Sequence, residues 1–168
     1  MHPHHEIDVI SVMVEGRIEH HGSLGQGENL DANDVQVQRA GGEGFSHNEV
    51  NPDDHWNRMI QLWILPETPG ESAAYKVYRP ESGKLSRIYG GSHHLFASKT
   101  RMDIAVLEAE QTIHIAEPLL AYLTRGSGTA NGVGVSEGDL MRSDHLDFTA
   151  NGDAQLIVIS VENPTPPH

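Results

Sequence analysis

The chain has 168 residues, enough for one ordinary domain or two small ones, and no cysteine, which excludes disulfides, thiolate metal sites and a cysteine nucleophile and fits a reducing cytoplasm. Acidic residues outnumber basic ones 24 to 11, a formal charge of −13 that repels phosphate backbones and argues against nucleic acid while suiting a basic protein partner. No apolar run approaches ~20 residues and no basic stretch leads into an apolar core, so neither a membrane span nor a secretory signal is expected.

Taken in chain order, short apolar runs bounded by Gly, Asn, Asp and Pro predict strands rather than helices. The first series covers residues 8–14, 17–21, 34–39, 45–50 and 58–65. Residues 66–85, rich in Pro, Gly and Ser, read as a connector with one helical turn near 73–75. A second series covers 102–109, 112–116, 119–124, 128–131, 139–142 and 155–161. Gly-rich 126–134 lies between β-like stretches with no P-loop lysine, so it reads as a hairpin turn and not a phosphate cradle. The two series echo each other when Gly16 is set against Gly126 and Asp34 against Asp139. A duplicated β-unit is the simplest account. The first copy has nothing upstream of its opening histidines, which leaves a strand edge that a homodimer would cover.

Twelve histidines stand out, and spacing sorts them. On a strand, residues two apart share a face, so His2 and His4 present two imidazoles side by side. His47 and Glu49 repeat the spacing after a Gly-rich turn. If the strands approach, three imidazoles and a carboxylate converge, a set that suits Fe(II) and, less selectively, Mn, Ni, Cu or Zn. The competing reading is a frayed histidine tail. His20, His21, His93 and His94 sit beside turns and read as exposed, while His55, His114, His145 and His168 lack partners at ligand spacing. On the turn alignment, Thr112 and His114 fall where His2 and His4 fall, and Gly152 and Ala154 where His47 and Glu49 fall. By alternation, Val12, Val14, Met59, Gln61 and Trp63 would line the pocket.

The stretches "HPHHEIDVISVMVEGRIEHHGSLG", "NDVQVQRAGGEGFSHNE" and "RMIQLWILP" together resemble the pirin family. The resemblance is specific over residues 1–66 and fainter over 85–162. It implies an all-β fold of two cupin-type β-barrels in tandem (a bicupin), the first incomplete at its N-terminus: 1–80 with the metal site, 85–168 degenerate and without ligands. It also implies that His2, His4, His47 and Glu49 hold one divalent metal ion, Fe(II) by preference, with Glu49 as proton acceptor. The implied activity is that of a quercetin 2,3-dioxygenase on a small aromatic or enol substrate. The alternatives are a metal- or redox-responsive module acting through a protein partner, and a structural relic with an empty site.

Overall fold

The computed structural model describes residues 1–162, so His168 lies outside the described residues. The chain is all-β, and among the described residues no helix is long and apolar enough to cross a membrane. Contacts divide it into two compact units, Met1–Pro80 and Glu81–His168.

The first unit stacks two antiparallel four-stranded sheets. One has the order β1-β6-β3-β4, from β1 (His2–His4), β3 (Ile18–Gly22), β4 (Gln26–Leu30) and β6 (Phe45–Val50). The other has the order β7-β2-β5-β8, from β2 (Asp8–Glu15), β5 (Val35–Arg39), β7 (Arg58–Ile64) and β8 (Ala74–Tyr78). The helical turn expected near 73–75 is instead the start of β8, which pairs with β5 from Val35↔Tyr78 to Arg39↔Ala74. The flanking Pro and Gly masked a strand whose Tyr75, Val77 alternation is the period-2 signal.

Strand β2 is an inner strand of this sheet. Val9, Ile10, Val12, Met13 and Val14 are all fully buried, so both faces of the strand are covered. Each such side chain contributes about 1.5–3 kcal/mol by leaving water. One face points into the barrel, where Val9 packs with Ala40 and Phe45, and Met13 with Ile18 and Leu30. Between these two apolar layers β2 carries Ser11, and a polar layer forms around it.

The second unit repeats the plan. Its sheets have the orders β11-β16-β13-β14 and β10-β17-β12-β15, from β10 (Thr100–Leu107), β11 (Thr112–Ile115), β12 (Leu119–Arg125), β13 (Ser127–Ala130), β14 (Val133–Ser136), β15 (Leu140–Ser143), β16 (Leu146–Ala150) and β17 (Ala154–Val161), with β9 (Lys84–Tyr89) in the same unit. The order β1-β6-β3-β4 thus matches β11-β16-β13-β14, and β7-β2-β5 matches β17-β12-β15. Even the register break recurs, between Met13 and Glu15 in β2 and between Leu123 and Arg125 in β12. The Gly-rich stretch is the β13–β14 hairpin; Asn131 and Gly132 both have positive φ, as a two-residue hairpin turn requires.

Candidate metal centre

Register builds the site. Across the first sheet His2 pairs with His47, which pairs with Gly22; Glu49 pairs with His20. Directly paired residues lie on one face, so His2, His4, His47, Glu49 and His20 all project toward the barrel interior. From the facing sheet come Ser11, Gln36 and Gln61, aligned across β2, β5 and β7, with Gln38 and Trp63 on the same face two residues further.

Three imidazoles meet. His47 Nε2 lies 2.9 Å from His2 Nε2 and 3.1 Å from His4 Nε2. A nitrogen with one proton or one lone pair serves two such neighbours poorly as a hydrogen-bond partner. Donors about 2.1 Å from a common cation and at right angles stand about 3 Å apart, which is the spacing seen. His47 is fully buried and His4 nearly so, while His2 is exposed at the sheet edge. Burial first, then the neighbouring His2 and His4, push the His47 imidazolium down to about 4, and His4 is lowered by burial and by His2. Both rings are therefore neutral near pH 7, the form that binds metal.

Gln38 orients His47. Its Nε2 lies 3.0 Å from His47 Nδ1, and its Oε1, also buried, has no partner. With the amide turned over, Oε1 accepts from Nδ1–H and the Nε2 lone pair faces His2 and His4. Such a hydrogen bond to the far nitrogen is how proteins fix the tautomer of a ligating histidine.

Glu49 sits on the other side of His47, with Oε1 4.0 Å from Nδ1. Its carboxylate accepts hydrogen bonds from Ser11 Oγ at 2.9 Å, from Gln61 Nε2 at 3.2 Å and, at closer range, from Gln36. Burial raises its pKa, opposed by Ser11, His2, Gln36 and Gln61. The donor atoms of His2, His4 and His47 all lie within 4.8 Å of one another, and so do those of His20, His47 and Glu49. His47 is common to both groups.

Three sequence expectations are corrected. His20 is not exposed: it is fully buried, its ring stacked on Tyr75 at 5.1 Å. Strand alternation carried the signal, because Ile18, His20 and Gly22 share a face, but the adjacent turn obscured it. Val12 and Val14 do not line the pocket; Val12 pairs with Val35 and Ile60, on the face opposite to Ser11. Met59, Gln61 and Trp63 are on the inward face as expected, but Ser11, Gln36, Gln38 and Tyr75 were not singled out.

The third correction concerns the second unit. Matching His2↔His47↔Gly22 strand for strand gives Ile113↔Phe148↔Ala130, and matching His20↔Glu49 gives Gly128↔Ala150. His2, His4, His47, Glu49 and His20 thus correspond to Ile113, Ile115, Phe148, Ala150 and Gly128, not to Thr112, His114, Gly152 and Ala154. The turn-based alignment slips by one residue on β11, and one residue reverses the face. His114 points outward, exposed, against Asp147. The interior of this unit is an apolar cluster that includes Ile113, Ile115, Leu146, Phe148 and Leu156.

Comparison with known proteins agrees with this fold. The Pirin family model matches residues 1–64. A Pseudomonas aeruginosa protein named, provisionally, as a quercetin 2,3-dioxygenase is 40% identical over 176 residues, covering 95% of this chain and 75% of that protein. The quercetin 2,3-dioxygenase of Escherichia coli K12 is 26% identical over 173 residues, covering 95% of this chain and 74% of its own length. Among solved structures, YhhW of Escherichia coli superposes with a TM-score of 0.78 at 22% identity, covering 99% of this chain and 76% of that one. The nickel(II) complex of the same bacterial pirin superposes with a TM-score of 0.77 at 22% identity, covering 97% of this chain and 76% of that one.

Proposed function

This chain belongs to the pirin family, and from that premise we propose that His2, His4, His47 and Glu49 hold one divalent cation, Fe(II) by preference, at the centre of a quercetin 2,3-dioxygenase-type oxygenase. In this reading the first unit, residues 1–80, is the metal-bearing cupin, and the second, residues 85–168, is its degenerate structural copy. The observation that carries the proposal is the pair of 2.9 and 3.1 Å separations between buried or edge imidazole nitrogens. The cation would supply Lewis acidity toward a catechol-like or enol oxygen.

The chain's own groups do the rest. Glu49 takes the substrate hydroxyl proton. Ser11, Gln36 and Gln61 hold the carboxylate in place for that role. The site opens between β1 and β7, where His2, Gln61 and Trp63 are exposed. Trp63 is fixed there by its Nε1–H donated to Gln61 Oε1 at 3.0 Å and by edge contact with the His4 ring at 5.3 Å. An aromatic face beside the opening gives a planar flavonol a surface to lie against.

The test is oxygen uptake with quercetin after Fe(II) loading of protein purified without a histidine tag. Uptake is expected in the wild type. His47→Ala should abolish it and Glu49→Gln should reduce it by about 10²–10⁴-fold, the usual worth of a general base. Unchanged uptake in His47→Ala would exclude this site.

A further inference from the structure

His20 is the one residue of the polar layer without a use. It is fully buried, and neither ring nitrogen has a hydrogen-bond partner. Buried polar atoms are ordinarily satisfied, so an imidazole with two orphaned nitrogens points to a missing ligand. Its placement is built rather than accidental. Face-on stacking against Tyr75, at an interplanar angle of 18°, fixes the ring. Gly22, two residues on and facing His47, leaves the space the ring fills: a Cβ there would lie 2.9 Å from His20 Nε2 and 3.1 Å from His47 Cβ. The ring centroids of His20 and His47 are 5.6 Å apart, and Glu49 is the direct register partner of His20.

We propose that His20, His47 and Glu49 form a second, alternative coordination set for a divalent cation, carried by β3 and β6 alone, in which His47 Nδ1 turns from Gln38 to the ion. The donor atoms of the three lie within 4.8 Å of one another, as do those of His2, His4 and His47. Two histidines and one carboxylate with open positions is a complete ligand set for a divalent first-row metal. It draws no ligand from β1, a three-residue edge strand with Pro3 at its middle and His2 exposed. An ion held by this set would need no ligand from β1. This inference rests on the reading above that His47 and Glu49 face a cation.

The experiment is a Co(II) titration of untagged protein, followed by visible absorption and equilibrium dialysis. The chains compared are the wild type, His2→Ala/His4→Ala, and that double variant with His20→Phe added. Phenylalanine keeps the stacking on Tyr75 and removes the nitrogens. His20→Leu repeats the measurement, and circular dichroism reports the fold of each chain. The wild type should bind one Co(II). The double variant should still bind one, with an altered visible spectrum and an affinity lowered about 10- to 1,000-fold. Adding His20→Phe or His20→Leu should remove the stoichiometric site. A double variant that binds no Co(II) while the wild type does would overturn this inference and leave the four-ligand reading standing. Equal binding with and without His20 would overturn it as well. A wild type that binds none would overturn the four-ligand reading together with this one.

Discussion

His2 Nε2 and His47 Nε2 stand 2.9 Å apart, although 45 positions separate them in the chain. Their strands are direct register partners, so the sheet itself sets the distance. The same register that assembles the imidazoles makes the consequences of individual substitutions calculable.

Gln38 touches no substrate-facing atom of the centre, yet it holds His47 Nδ1. Gln38→Leu should lower metal affinity by about 10–100-fold, as loss of a partner behind a ligating histidine does. Gln38→Glu, which keeps an acceptor for Nδ1–H, should retain most of it. Isothermal titration with Co(II) on the folded variants checks both.

The metal-free protein should lose stability as pH falls from 6.5 toward 4. Burial lowers the folded-state pKa of His20 and His47 from 6.5 to about 4, so across that window the unfolded chain binds protons that the folded chain does not. By linkage, stability is full above 6.5, declines through the window and levels off below about 4. Glu49, raised by burial, has the opposite sign, since its protonated form favours the fold at the acid end. Thermal melting across this range should show the decline, and His20→Phe should make it shallower. A melting temperature that is flat from pH 6.5 to 4 contradicts the assignment of neutral, buried imidazoles.

Beside the polar layer, Arg39 grips the fully buried Asp8 through Nε at 3.0–3.1 Å and Nη2 at 2.8 Å, while Nη1 reaches Glu71 at 3.0 Å. Arg39→Met removes the guanidinium from the buried Asp8 carboxylate, and should cost about 3–5 kcal/mol in urea unfolding. Replacing both, as Asp8→Leu/Arg39→Met, should recover most of that loss. If the single variant is as stable as the wild type, this pair does not anchor β2 to β5.

Much of this was legible in the sequence, and the exceptions share a cause. His2, His4, His47 and Glu49 announced themselves by two-residue spacing, and turn residues marked most strands. Alternation alone reads Val12 and Val14 as inward, along with Met59, Gln61 and Trp63. The structure reverses this at one level, because β2 is buried on both faces and the barrel interior around Ser11 is polar. Gln36 and Gln38 alternate with Val35 and Val37, and all four are fully buried. The duplication was visible, but an alignment slipped by one residue on β11 and by four on β16 hid that Ile113, Ile115 and Phe148 replace the three histidines. Alternation cannot tell which of two buried faces encloses a site; only pairing across strands does.

In the proposed centre, four side chains from the paired strands β1 and β6 grip one ion. Crystals of the Fe(II)- or Co(II)-loaded protein, with anomalous differences recorded at the metal edge, test it most directly. A single peak about 2.0–2.3 Å from Nε2 of His2, His4 and His47 and from one oxygen of Glu49 is the predicted result. A peak that lies elsewhere, or protein saturated with metal that shows none among these residues, would contradict it.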